Sequence, residues 1–528
     1  MVLNLTKFEV LFYLLTGTLF WFPLRRAPSV LLKKVYSPQK MEELVNSFQI
    51  EMDTILLFLQ NVNNVTILKN EKDISYEVTI KQTETTGDHR QYIKKKLREL
   101  GPIKPENSLI SSYNVDLTIY NGKKEEPKIV SYKIVNFYQG KSTMSPSLMK
   151  LVDKHDNNPY VGVAYPLQVD KAFIAHIFCF LPLPFTSSSQ TNLPVHVNGF
   201  FNLDPARDHV LQATTGQVGE RDTNIEWNEL LIKEVLPEAY SKLVKDLINE
   251  KRTPSEVYRS LPYVSEVTSD LWKQLLPPVF QRVLKMNVFL TERPERTLVN
   301  LESAVFNVFD EKEREAEIEM KNAVIDLIKR YDENLVLLPE HLKTMVISWN
   351  EYNFIPGVNP KFISAEYVAT LLHRDSRYKK LSRGTKIILL NYFLQYASPE
   401  NYKRFELIPT NDEDYFVSLT TKDPLYVCSD EIADLFPMVE KQLLSKLSDE
   451  IKKKVLTLKS GKKLLVLYLF KIAQAQVGIS IYLLFVICLG FFIHSRHKIF
   501  KLSKFFNFPF EKRGHIVFIL FCTSLSVG

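Results

Sequence analysis

Glycine is scarce in this chain of 528 residues, at 16 positions, and no Gly-x-x-x-x-Gly-Lys or Gly-x-Gly-x-x-Gly string occurs. The nearest approach, Thr215-Gly-Gln-Val-Gly-Glu220, follows no clear strand and reads as a surface loop. Without clustered glycines a backbone cannot close around a phosphate. Cysteine is equally sparse: Cys179, Cys428, Cys488 and Cys522 stand far apart, with no Cys-x-x-Cys pair. A disulfide-stapled secreted fold and a four-cysteine zinc site are both disfavoured on that ground. Charge of one sign is lacking too. Lys plus Arg number 67 against 60 Asp plus Glu, and a net +7 over this length is no footprint of a dedicated nucleic-acid binder. No Gly-x-Ser-x-Gly elbow exists to expose a nucleophile. His176 and Cys179 stand three apart, so on a strand they point to opposite faces, and a composite zinc site with His196 or His209 is disfavoured. Cys179 lies in an apolar run where a thiolate is unfavourable. The residues therefore predict no catalytic group, no metal and no cofactor.

What is present is ordinary globular material, 45% apolar and 24% charged, in a length sufficient for about two to four domains. Ser37-Pro38 opens a helical pattern in which Met41, Leu44, Val45, Phe48, Met52, Ile55, Leu56 and Leu59 share one face, so residues 36–69 read as one core-facing helix and its exit. The period then shifts toward two. Tyr76–Ile80, Val115–Tyr120 and Ile129–Val135 read as strands, with Asn121-Gly122 as a hairpin turn. Gln91–Leu100 between them reads as a basic, solvated helix. Residues 171–203 predict two buried strands joined by a polar loop. Beyond Gly219 the pattern becomes helical, with Trp227, Leu231, Val235, Tyr240, Leu243 and Leu247 on one face, and helical character continues over 271–286 and 313–330. The fold class expected is α+β, a β-rich middle domain followed by a mostly helical region.

Both ends are hydrophobic. Val10–Leu24 could pass for a signal peptide, but its basic start is a single Lys7, Glu9 follows, and a buried strand ending a domain is the preferred reading. Ile472–Ile493 holds 22 residues without a formal charge. As a helix it would reach about 33 Å, enough for a hydrocarbon core of about 30 Å. It is read as a transmembrane helix with basic residues on both flanks, which leaves its orientation open.

Several strings, taken in order, resemble the sacsin family. Gly17-Thr-Leu-Phe-Trp-Phe-Pro-Leu-Arg25 is similar to the segment closing that family's ATP-binding module, and Ile55-Leu-Leu-Phe-Leu-Gln60 to the next helix. Phe180-Leu-Pro-Leu-Pro184 with Leu193-Pro-Val-His-Val-Asn-Gly-Phe-Phe-Asn-Leu203 resembles its most recognisable motif, and Trp227-Asn-Glu-Leu-Leu231 the helix after it. Leu338-Pro-Glu-His341, Val358-Asn-Pro-Lys361, Leu381–Tyr392 and Tyr426-Val-Cys-Ser-Asp430 follow in family order. The resemblance runs from about Gly17 to Pro437 and fades on either side.

It implies a chaperone-related repeat that lacks its nucleotide-binding part, because the family's Asp-x-Gly-x-Gly turn is missing. The layout expected is 1–35 as the remnant end of the ATPase-type module, 36–220 as the α+β middle region, 221–335 as helical, 336–445 as mixed α/β, and 446–528 as basic linker and transmembrane tail. The function expected is a cytoplasmic protein-interaction module that binds clients or heat-shock co-chaperones without hydrolysing ATP. The alternative is a membrane-anchored scaffold held by Ile472–Ile493. Related chaperones reach the terminal phosphate with a basic residue, and Arg207 in Asp204-Pro-Ala-Arg-Asp208 is the candidate counterpart. His196 and Asn198, two apart, share one face of a strand. They either present a polar pair to a partner or hydrogen-bond locally to hold the two-strand loop, the commoner fate of such a pair.

Overall fold

The structure is a computed structural model. It describes residues 37–459, apart from breaks of which the longest are 185–189, 214–221, 308–314, 348–359 and 426–439, and a few residues outside that range. The N-terminal segment 1–26, most of the 446–528 tail including Ile472–Ile493, and the loop Thr215–Glu220 lie outside the described residues. Among the described residues no helix is long and apolar enough to cross a membrane. The chain divides into two compact units, Met1–Val288 with Glu351–Pro356, and Phe289–Asn350 with Gly357–Gly528.

The first unit is built on one eight-stranded sheet, mostly antiparallel, in the order β1-β2-β3-β4-β5-β8-β6-β7. Its elements run α1 (Pro38–Ile55), β1 (Asn64–Asn70), β2 (Asp73–Lys81), α2 (Glu84–Leu100), β3 (Leu109–Tyr120), β4 (Lys128–Tyr138), α3 (Pro146–His155), β5 (Tyr160–Pro166), β6 (Ile177–Cys179), β7 (Leu181–Pro182) and β8 (His196–Gly199). Ser37 caps α1 by accepting the Lys40 amide at 3.1 Å, with Pro38 in the first turn. The periodic face read from the sequence is buried only in its second half: Met52, Ile55 and Leu56 lie in the core, whereas Leu44 and Phe48 are exposed. The supposed exit of that helix contains a strand, β1, paired with β2 through an irregular register.

Alternation decides the two faces. On β3, Tyr113, Val115, Leu117 and Ile119 point one way. They pack with Tyr132, Ile134, Ala164 and Phe178 beneath Leu56, Leu57 and Phe58. Arg90 of α2 ties this layer down by donating to the Leu59 and Val62 carbonyls and to Asn63. The opposite face carries Ser112, Lys133 and Tyr165, which bond to Asp246, Glu250 and the Glu256 carbonyl. β5, covered on both faces, is buried along its whole length.

That second layer is α4 (Thr223–Leu230), a π turn (Leu231–Val235) and α5 (Leu236–Asn249). Pro237 has no N–H to give the turn below it, and the helix opens to the π form there. Three short helices follow: α6 (Pro254–Arg259), α7 (Asp270–Lys273) and α8 (Leu276–Val283). The helical stretch after Gly219 thus packs on the sheet inside the same unit.

The second unit mixes short strands with helices. β9 (Phe289–Leu290) pairs antiparallel with β10 (Leu298–Val299), and β11 (Val305–Phe306) lies parallel to β12 (Leu335–Val336) and β13 (Lys361–Phe362). α9 (Glu315–Arg330), α10 (Glu340–Ile347), α11 (Ala365–Arg374), α12 (Arg383–Tyr396), α13 (Pro399–Tyr402) and α14 (Asp449–Lys459) complete it, with the hairpin β14 (Ile408–Pro409) and β15 (Phe416–Val417). Val324, Leu327, Ile328, Leu371, Leu389 and Phe393 form its core. Arg383 binds three backbone carbonyls, of Thr410, Asp412 and Glu413, at 2.6–3.2 Å, and so fixes the hairpin to α12. The molecule is an α+β protein with its long sheet in the first half and its helices concentrated later.

Candidate functional site

The motif at 176–211 occupies the β6–β7–β8 end of the sheet. β8 pairs antiparallel with β5 and parallel with β6, a reversal made by the loop between β7 and β8. The register places Asn136, Gly162 and Asn198 in one row across β4, β5 and β8. A Cβ at Gly162 would lie 2.6 Å from Asn136 Oδ1 and 3.0 Å from a Phe58 ring carbon, so any side chain here would force these neighbours to shift.

His196 and Asn198 do share a face, and that face is turned into the core, with exposures of 1% and 0%. His196 Nδ1 accepts the backbone N–H of His176 at 3.0 Å, which assigns the ring proton to Nε2. Its ring sits among Phe173, Tyr132, Phe178 and His176, with centroids 4.8–5.8 Å away. Burial, and after it the neighbouring His176, hold its pKa well below the ordinary histidine value. A neutral imidazole whose only lone pair is engaged has nothing with which to take a proton from a substrate. Cys179 is similarly inert: burial pushes its thiol up to about 11, and Sγ contacts the Phe201 carbonyl at 3.7 Å.

Asn198 has a structural partner. Its Oδ1 accepts the backbone N–H of Phe180 at 2.8 Å. Phe180 has φ 66°, a left-handed conformation that is rare and costly for a bulky residue. Held there, the Phe180 ring stacks on Tyr160 at 5.8 Å and meets Phe200 edge-on at 4.9 Å. Phe200 is 40% exposed, and Leu181, next to Phe180 in sequence, is 52% exposed. The outcome is an apolar ledge at the end of the sheet, fixed by a buried amide.

The chain beyond Phe200 is pinned from α4, which the sequence reading did not anticipate. Trp227 Nε1 donates to the Phe200 carbonyl at 2.8 Å. Asn228 accepts the Asn202 amide at 2.8 Å and donates to the carbonyls of Asn202 and Leu211 at 2.7 and 2.8 Å. A fully buried Asn one residue after a fully buried Trp is a signal of backbone clamping, but only the fold reveals which backbone.

Between the clamped ends, Leu203 and Val210 bridge and close a turn. Asp204 accepts the amides of Ala206, Asp208 and His209 within it, and these backbone bonds, led by that of His209, hold its carboxyl below its usual range. Arg207 stands in this turn at φ 60° with its side chain exposed. It is thus on a rigid external loop, apart in character from the buried His196–Asn198 pair. Among the described residues no three His, Cys, Asp or Glu side chains converge as metal ligands.

Fold and site together define an α+β scaffold whose buried polar residues lock loops and present apolar and cationic side chains. The comparisons with known proteins carry this further. The sacsin domain family model matches residues 3–82, starting well before Gly17, where the resemblance read from the motifs begins. Human (Homo sapiens) sacsin is 27% identical over 455 residues, which cover 80% of this chain and 10% of that protein. The chain is sacsin-like, and it spans about a tenth of the length of the curated relative it matches. No solved structure matches it.

Proposed function

We propose that the chain is a chaperone-related protein-interaction module that holds client or co-chaperone polypeptide in the cytoplasm without hydrolysing ATP itself. The observation that carries this reading is the ledge of Phe180, Phe200 and Leu181. Its backbone strain is maintained by Asn198, and strain retained at a surface is characteristic of sites that bind. The sacsin likeness supports a chaperone-associated role at the level of the family. The lack of a glycine-rich phosphate loop supports the absence of hydrolysis. The exposure of Arg207 on its clamped turn supports a role for it in meeting a carboxylate or phosphate of the partner.

The test is suppression of aggregation of a chemically unfolded reporter protein by the purified full chain. Capture is expected with and without ATP, and Phe200→Ser with Leu181→Ser should weaken it severalfold while leaving the thermal melt unchanged. Capture that requires ATP, or is indifferent to the double substitution, refutes the reading. A second reading, anchoring of this scaffold to a membrane, rests on the uncharged run Ile472–Ile493. Complete release of the protein by alkaline carbonate would refute it.

A further inference from the structure

Gly162 separates two side-chain amides. Asn136 on β4 and Asn198 on β8 flank it in one row of the sheet, and residues in register on neighbouring strands share a face. Both are buried, at 5% and 0% exposure. Each amide uses one of its ends. Asn136 Nδ2 donates to the Tyr113 hydroxyl at 3.3 Å, and Asn198 Oδ1 accepts the Phe180 N–H at 2.8 Å. The other two ends, Asn136 Oδ1 and Asn198 Nδ2, meet no hydrogen-bond partner among the described residues. They are complementary, since the oxygen accepts and the nitrogen donates. Buried polar atoms of this kind are paired either by protein groups or by ordered water.

We propose that Asn136 and Asn198 hold one internal water molecule at Gly162, which accepts a hydrogen bond from Asn198 Nδ2 and donates one to Asn136 Oδ1. Asn136 Oδ1 lies 2.6 Å from where a Cβ of Gly162 would stand, so this amide reaches over the middle strand, and Gly162 puts no side chain in the way. The step that remains, from β5 to β8, is about 4.8 Å. One water spans about 5.6 Å with two bonds of ordinary length. Phe58, 3.0 Å from the same Cβ position, and Phe178, in register with Asn198, meet edge-on at 4.9 Å and are themselves buried, so the site is walled by aromatic rings. The neighbouring row shows why the pair matters. His196 Nε2 is also buried and without a partner among the described residues, but it shares its row with Ile134 and Ala164, which offer no polar side-chain atom. A buried water needs two or more polar partners, and only the Asn136–Asn198 row supplies them. The water also fixes which way the Asn198 amide faces. With the nitrogen engaged by the water, the oxygen is left to accept the Phe180 N–H, whereas the flipped amide would set one N–H against another. The site thus concerns how the ledge at Phe180 is held and does not depend on what the ledge binds.

Crystals of the unmodified full chain that diffract well enough to show ordered solvent give the direct reading, and it does not depend on the folding of any variant. One solvent peak within about 2.7–3.2 Å of both amides is expected. A direct bond between the two amides, or no peak between them, overturns the proposal. Oxygen-17 relaxation dispersion, which counts long-lived internal waters in solution, gives the second reading. Asn136→Leu keeps the volume and removes the acceptor, so the count should fall by one. Exchange of the Phe180 amide should quicken severalfold in the same variant, while the amides of β3 and β5 stay protected and show that the sheet is intact. An unchanged water count in the folded variant overturns the proposal.

Discussion

Asn198 accepts the backbone N–H of Phe180 across the parallel pair β8–β6, and the residue so held has φ 66°. One buried amide therefore stabilises a conformation that the Phe180 side chain opposes. Asn198→Ala removes the acceptor and leaves the Phe180 amide without it, at a cost of about 1–3 kcal/mol. The expected outcome is a lower urea midpoint together with faster exchange of the Phe180 amide, and a wild-type midpoint would refute the clamp.

Gly162 is required by its neighbours. Gly162→Ala puts a methyl group within 2.6 Å of Asn136 Oδ1. Overpacking of this kind costs about 1–3 kcal/mol. Asn136→Ala frees the space, although it also gives up the bond to the Tyr113 hydroxyl at 3.3 Å. In a double-mutant cycle by urea unfolding, the two changes together should cost less than their sum by about 0.5 kcal/mol or more. Strict additivity would show that the row is looser than described.

His196 sets a pH dependence. Its folded-state pKa lies well below the ordinary value because of burial and of His176. As pH falls below about 6.5 the unfolded chain takes up a proton that the folded chain refuses, so stability is full above that value and is lost as the solution is acidified. The loss approaches about 1.4 kcal/mol per pH unit for this one group until the folded-state pKa is reached. His176, whose pKa burial also lowers, contributes in the same direction. Thermal melts between pH 7.5 and 5.0 should show a shallower fall for His196→Gln than for the wild type. Equal slopes would exclude His196 as the titrating group.

Asn228 holds both ends of the segment that carries Phe200 and Arg207. Asn228→Leu preserves volume but strands an amide and two carbonyls, with an expected cost of about 3 kcal/mol. Proteolysis under native conditions should then cut preferentially between 200 and 211. An unchanged digestion pattern would show that Trp227 suffices as the clamp.

The strands of the first unit were legible because each buries one face or two, and the hydrophobic period records that directly. β2, β3 and β4 extend the runs Tyr76–Ile80, Val115–Tyr120 and Ile129–Val135, and Gly122 takes the positive φ of a turn. β1 was missed because an edge strand buries little, and Asn64–Asn70 lacks the alternation that a covered strand shows. The motif around His196 and Asn198 was visible as a string of residues. Its partners were not, since the Phe180 and His176 amides lie 18 and 20 residues away, and Asn228 lies 26 residues from the Asn202 backbone that it holds.

By itself the amino-acid order determined the composition of the core, the alternation of the strands, the likeness to sacsin and the lack of a glycine cradle for phosphate. These are properties of local spacing and residue type, and they survive without knowledge of any contact. Tertiary structure alone decided that both faces of β8 are covered, that Phe180 is held against its own preference, and that the helix carrying Asn228 clamps the loop bearing Arg207. Those outcomes depend on pairings between strands and layers distant in sequence, and the energy of burying a polar atom is settled only when its partner arrives.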